Sequence, residues 1–183
     1  MSRFSRVCPP RLTSRLIDAL LDADPAEIND YDEIDSVRCV YPGTVNVFAG
    51  GGREITPGVI DGETRAWYLY GNCALLAIEL HRMTSWPLIM LATERKTKPS
   101  LNDTPMVHVL VRRPDGQLLD IEGVRTENGA LDVWRRSFPD IHVRGMRDEK
   151  ELTDIIGSDF DMYSPLEREL TRDFAQRLLD GQR

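Results

Sequence analysis

Cys73, His108 and Asp120 are the residues of this chain whose types and order could carry out covalent chemistry. Cys73 stands in "WYLYGNCALLAIELH", where an apolar helix is expected to begin. A thiol at a helix N-terminus is biased toward thiolate by the helix dipole and by the unpaired N–H groups of the first turn. The same N–H groups, that of Cys73 included, can donate to a developing oxyanion. A thiol nucleophile also needs a base within hydrogen-bond reach, and the base needs an orienting partner. The chain holds three histidines. His81 lies on the same helix as Cys73, roughly 12 Å further along at about 1.5 Å rise per residue. That is too far to take the thiol proton, and His81 is expected to cap or pack near the helix C-terminus. His142, in "FPDIHVRG", sits in a short extended segment with no acid evident on its face.

His108 is better placed. "MVHVLVRRPDGQLLDIEGV" reads as a β-hairpin, with Val107, Val109 and Val111 on one face and His108 and Leu110 on the other. In "RPDG" the proline at the second position and the glycine at the fourth predict a type I turn closed by a left-handed glycine bulge. That turn pairs Arg113 with Gln117, which sets His108 opposite Glu122 and Leu110 opposite Asp120. Asp120 and Glu122 then emerge on the face of His108, with Asp120 a diagonal neighbour about 5.5–8 Å away between Cβ atoms. A slip of one residue would move Asp120 to the opposite face. The hairpin can thus present a His–Asp pair with no tertiary assumption.

Each residue also has a plain structural reading. Cysteine is among the most buried residue types and in an apolar helix is commonly inert. A strand histidine is commonly a satisfied core residue. What favours catalysis is the conjunction of Cys at a helix start, His in a strand and Asp in the next strand. A metal site of Cys73, His108 and Asp120 is a third reading, but no H-x-E or C-x-x-C companion accompanies them. No metal or other cofactor is expected.

The elements that must position these residues follow from periodicity. "SRLIDALLDAD" spaces Leu16, Ile17, Leu20 and Leu21 as one helix. "INDYDEIDSV" is acidic and reads as a loop or weak helix. "VRCVY" and "TVNVF", split by Pro-Gly, read as a hairpin or two edge strands, and "AGGGRE" as a flexible connector lacking the Lys-Ser/Thr of a phosphate-binding loop. From Ala74 to Leu80 the central helix is apolar all round except Glu79, which places it inside the protein. "WPLIMLAT" reads as a buried strand and "ERKTKPSLNDTP" as an exposed loop that could line the site entrance. "GALDVWRRSFP" and "DEKELTDIIG" read as short helices. In "SPLERELTRDF" Ser164, Pro165 and Glu167 form a capping box ahead of a stripe of Leu166, Leu170, Phe174 and Leu178. The order predicts an α+β fold, a buried central helix on an antiparallel sheet with flanking helices, as one domain over 1–183 with its core at about 62–125.

The bulk properties narrow the classes. The chain has 183 residues, 41% hydrophobic and 29% charged, with net charge −7. Its basic residues are scattered among acidic ones, so no nucleic-acid partner is expected. No run reaches the roughly 20 apolar residues that span a bilayer, and no secretory leader is evident, so the expectation is no membrane association and a cytoplasmic location. The three cysteines, Cys8, Cys39 and Cys73, are widely spaced, which fits one reactive thiol rather than a disulfide framework.

With "YGNCALLAIELHRMTSWPL", "VHVLV" and "PDGQLLDIEG" the chain resembles the papain-like superfamily, and more closely its transglutaminase-like and small bacterial or phage cysteine-hydrolase branches. The resemblance covers roughly residues 62 to 125. It implies Cys73 as nucleophile, His108 as base and Asp120 as orienter, acting on a protein or peptide substrate; Glu122, opposite His108 in the hairpin, is a candidate supporting residue. It also implies a thiol-dependent hydrolase or acyltransferase working through a thioester. A small delivered effector or phage protein fits that style. The chain departs from papain-like proteases in having no Gln between Gly50 and Cys73 to complete the oxyanion hole, leaving Asn72 or Asn46 as candidates, and in having Ala74 where an aromatic often follows the Cys. Peptidase, deamidase, isopeptidase, amidase and transglutaminase activities stay open. So does a non-catalytic binding module on the same scaffold, with the acidic segment and the C-terminal helix as partner surfaces.

Overall fold

The structure, a computed structural model, describes residues 12–23, 47–49, 53–94, 106–157 and 163–181. Its described elements are helices α1 (Ser14–Leu21), α2 (Gly62–Leu69), α3 (Cys73–Thr84), α4 (Glu127–Arg135), α5 (Glu149–Ile156) and α6 (Pro165–Asp180). The strands are β1 (Val47–Ala49), β2 (Arg53–Ile55), β3 (Leu88–Ala92), β4 (Met106–Arg112), β5 (Leu118–Asp120), β6 (Gly123–Arg125) and β7 (His142–Gly145). Five of the strands form one antiparallel sheet in the order β6-β5-β4-β3-β7. The protein is α+β.

Helices cover both faces of this sheet. On one, Leu88, Met90, Ala92, Val109, Val111 and Leu119 join α1, α2, α3 and α6 in the main core. On the other, Ile89, Leu91, Leu110 and Leu118 pack with Ala130 and Leu131 of α4 and with Ile141. The alternation of strand side chains produces this division. β3 is buried at all five positions because both faces are covered, which explains why "LIMLA" reads as an unbroken apolar run.

The residues of α3 from Cys73 to Leu80 are all buried. Glu79, the polar exception on that helix, is only 2% exposed and is held by Arg82 at 3.0 Å and by Arg172 of α6 at 3.2 Å. A buried carboxylate without such partners would cost several kcal/mol (about 3–5 when one partner of a buried pair is lost). The helix ends at Ser85, a left-handed residue (φ 59°) whose N–H donates to the His81 carbonyl at 2.6 Å. Tyr68 of α2 donates its hydroxyl to Thr171 at 2.8 Å, tying the helix before the cysteine to α6.

The capping box of α6 forms as its sequence indicates. The Glu167 N–H donates to the Ser164 hydroxyl at 3.2 Å and the Ser164 N–H to the Glu167 carboxylate at 2.9 Å. Leu166, Leu170, Phe174 and Leu178 are all buried. Ser164→Ala is expected to lower the unfolding free energy by about 1 kcal/mol, read from the midpoint of urea denaturation at unchanged slope.

Two local expectations are corrected, and one helix is added where none was assigned. "AGGGRE" contributes a strand, because Arg53–Ile55 pairs antiparallel with Val47–Ala49 in a separate two-stranded sheet. "GETRAWYL" is helix α2, capped by Asp61, whose side chain accepts from the Thr64 N–H at 2.9 Å. Val107 does not share a face with Val109. The register of β3 on β4 shifts between Leu91 and Ala92, Ala92 pairing with Met106 and Leu91 with His108, so Val107 is the extra residue of a bulge. It packs on the α4 side while Met106 packs on the main core. The acidic segment 28–37, "VRCVY", Cys8, Cys39, Asn46 and the polar stretch 95–105 lie outside the described residues.

Candidate active site

The "RPDG" turn forms with the expected register. The Gly116 N–H donates to the Arg113 carbonyl at 2.9 Å, the Arg113 N–H to the Gln117 carbonyl at 2.8 Å, and Gly116 takes φ +83°. Val111 pairs with Leu119 and Arg112 with Leu118. The ladder then stops. After Asp120 the chain turns through Ile121 and Glu122, and Gly123 (φ +98°) brings it back as β6, with Asp120 paired to Gly123. Glu122 therefore does not lie opposite His108.

This early turn opens the flank of β4. The Arg113 N–H points toward β5, so by alternation the N–H groups of Val111 and Val109 point the same way. At Val109 no strand of the β5 side is paired, and the N-terminus of α3 comes there instead. The Cys73 sulfur interacts with the N–H groups of Val109 and Ala74 and with the imidazole of His108. A cysteine on the α3 face of the sheet thereby meets a histidine that points to the α4 face.

The imidazole is fixed on its far side. Its Nε2 lies 2.9 Å from Asp120 Oδ2, with both side chains almost fully buried. Donation from Nε2 to the carboxylate leaves Nδ1 on the cysteine side, where it has no hydrogen bond of ordinary geometry and the thiol is its neighbour. The carboxylate accepts two further bonds, from the Glu122 N–H at 2.9 Å to Oδ1 and from Arg125 to Oδ2. Trp134 of α4 lies beside the imidazole, ring centroids 5.6 Å apart.

Electrostatics follow from this geometry. Burial pushes the Cys73 thiol up, but the charge and close approach of His108, aided by the two N–H groups, outweigh burial and hold the thiol below its ordinary value. Burial pushes His108 down, yet the Cys73 charge, then the Asp120 hydrogen bond and charge, raise it to about 9. Burial likewise raises Asp120, and His108 with Arg125 more than offsets that, so its carboxyl stays below the usual range. All three directions favour a thiolate–imidazolium pair beside an ionised carboxylate.

No protein-family model matches this chain, and no curated protein or solved structure matches it.

The structure brings Cys73, His108 and Asp120 together, the thiol beside the imidazole and Nε2 on the carboxylate. Among the described residues no group of three or more His, Cys, Asp or Glu could hold a metal ion. Asn72 is not directed at the thiol; its amide donates to the Trp67 carbonyl at 3.3 Å, and it makes no side-chain cap on α3. The first-turn N–H groups thus keep their capacity to donate. Glu122 supports Asp120 through its backbone N–H, while its carboxylate pairs with Arg65 at 3.3 Å. His81 donates from Nδ1 to the Trp86 carbonyl, 2.7 Å away, and His142 is exposed on edge strand β7.

Arg125 and Trp134 are the residues that sequence reasoning missed. Reading "DIEG" as a tight turn would have found Arg125, since a third strand places it opposite Leu118, on the face that also carries Asp120. Nothing in "LDVWRR" marks Trp134, whose place depends on how α4 docks.

Proposed function

We propose that this protein is a thiol-dependent hydrolase or acyltransferase that attacks an amide, isopeptide or thioester carbonyl in a protein or peptide substrate, on a papain-like or transglutaminase-like core. The observation that carries this is the buried His108–Asp120 hydrogen bond, with the opposite imidazole nitrogen left to a thiol at the start of a buried helix.

The Cys73 thiolate adds to the carbonyl carbon, and the carbonyl oxygen becomes an oxyanion within reach of the first-turn N–H groups of α3. Collapse expels the leaving amine or thiol, which takes the proton from His108 Nδ1, and leaves a thioester on Sγ. His108, now neutral, removes a proton from water or an acceptor amine as it attacks the thioester. The tetrahedral adduct breaks to release acid or amide and restores the thiolate–imidazolium pair. Asp120 holds the ring in the required tautomer throughout, and Arg125 keeps that carboxylate charged. Either resolving nucleophile is compatible with this chemistry.

Burial favours a second reading, a non-catalytic binding module, since Cys73 is only 5% exposed. The pH dependence of iodoacetamide labelling, followed by mass spectrometry, separates the two. In the wild type, Cys73 is expected to label rapidly near pH 6. In His108→Ala the pH profile should move alkaline, with the pH 6 rate falling about tenfold for each unit that the thiol rises, because the thiolate is the reacting form. Slow labelling that rises only in the ordinary thiol range in both proteins would leave Cys73 as a core residue and the binding module as the function.

A further inference from the structure

A groove of about 270 Å³ opens beside Cys73. Tyr70, at the end of α2, and Trp134, on α4, stand edge to face in its walls with centroids 6.2 Å apart. Met106 and the bulged Val107 line it from β4, and Phe138 follows from the segment after α4. Among the described residues, the Cys73 thiol is the only ionisable group of its lining near neutral pH. Tyr70 is 72% exposed, and Trp134 is the described aromatic ring beside it. At Gly71 an added Cβ would meet nothing within 4 Å, so the backbone borders open space there.

We propose that this groove binds one uncharged apolar group, the size of a single aliphatic or aromatic side chain, next to the carbonyl that Cys73 attacks. The proposal rests on the nucleophile reading and adds the substrate class to it. Three observations point to that occupant. The thiol is part of the groove's lining, so a group seated there is within a few bonds of the reacting carbon. Among the described residues the lining offers aromatic faces and aliphatic edges, so an Asp or Glu side chain would lose its hydration without compensation, and a Lys or Arg could be compensated only by the Cys73 thiolate that has to attack. The volume lies just below the range of about 300–1,000 Å³ typical of pockets for whole small ligands, enough for one side chain. The bulge at Val107 contributes directly, because regular alternation would have turned this residue away from the α4 side.

The test uses the full chain and measures Cys73 alkylation rates at pH 7 with four probes: iodoacetamide, N-benzyl iodoacetamide, N-dodecyl iodoacetamide and N-(2-carboxyethyl) iodoacetamide. Each rate is divided by that for glutathione to remove intrinsic reactivity. The benzyl probe is expected to exceed iodoacetamide by about tenfold, a factor in keeping with burying one apolar side chain, and to saturate. The carboxyethyl probe should fall below iodoacetamide. Phe138→Ala, which widens the groove, and Gly71→Leu, which fills it, should both erase most of the benzyl preference. A normalised ratio near one for every probe, with Cys73 still labelling rapidly at pH 6, overturns the groove while leaving the nucleophile intact. A benzyl preference that survives both variants, or a dodecyl gain far above the benzyl one, also overturns it. Uniformly slow labelling that is indifferent to His108→Ala overturns the nucleophile and the groove together.

Discussion

Asp120→Ala is expected to cost about 3 kcal/mol of stability and to remove most of the fast labelling of Cys73 near pH 6. The carboxylate accepts from His108 Nε2, Arg125 and the Glu122 N–H, so truncation orphans three donors at once. Removing one partner of a buried ion pair typically costs about 3–5 kcal/mol. The lower end applies here because the Arg125 side chain is 20% exposed and can turn toward water. Asp120→Asn separates the two effects. It keeps an acceptor for the Glu122 N–H and nearly the same shape, so the loss of stability should be markedly smaller, but it removes the charge that favours the imidazolium. Urea denaturation and iodoacetamide labelling should therefore disagree for Asn and agree for Ala. Wild-type labelling at pH 6 in Asp120→Asn would show that the carboxylate only holds the fold together.

His108 is expected to titrate near pH 9 in the wild type and distinctly lower in Cys73→Ala, followed through its ring resonances by NMR. The thiolate is the strongest influence raising the imidazole, and burial opposes it. Once the sulfur is gone, Asp120 alone works against burial. The consequence for stability has a definite sign. Taken singly, His108 contributes stability that is full below its ordinary value of 6.5 and is lost as pH rises through about 9. Cys73 contributes stability that is full above its ordinary value of 9.0 and is lost as pH falls through its lowered value. At any pH above both 6.5 and the lowered value of Cys73 and below about 9, the two oppose each other, because folding merely moves a proton from thiol to imidazole and changes no proton count. The contribution of this pair to the wild-type melting temperature should thus be level there. An His108 resonance that titrates at the same pH with and without Cys73 would mean that no ion pair forms.

Much of this molecule is legible one segment at a time, where short-range chemistry is decisive. The Ser164–Glu167 capping box, the left-handed Gly116 of "RPDG" and the spacing of Leu166, Leu170, Phe174 and Leu178 each depend on residues a few positions apart. The turn chemistry also fixes the hairpin register at Val111–Leu119, and with it the face shared by His108 and Asp120. The sequence by itself therefore determined that an imidazole and a carboxylate would be neighbours, and that a cysteine would begin the most apolar helix.

Tertiary structure decided how the three meet. Strand alternation alone puts His108 on the α4 face and the helix of Cys73 on the other, with the sheet between them. Contact requires β5 to leave β4 after Leu119, a break that depends on Gly123 accepting φ +98° and on β6 folding back. The bulge at Val107 arises from the pairing of β4 with β3, so neither strand's own pattern announces it. Arg125 and Trp134 reach the site through a tight turn and a docked helix. Periodicity reports which face a residue occupies. Where a sheet opens and what lodges in the gap are set by contacts between segments far apart in the chain, and no single stretch of sequence contains them.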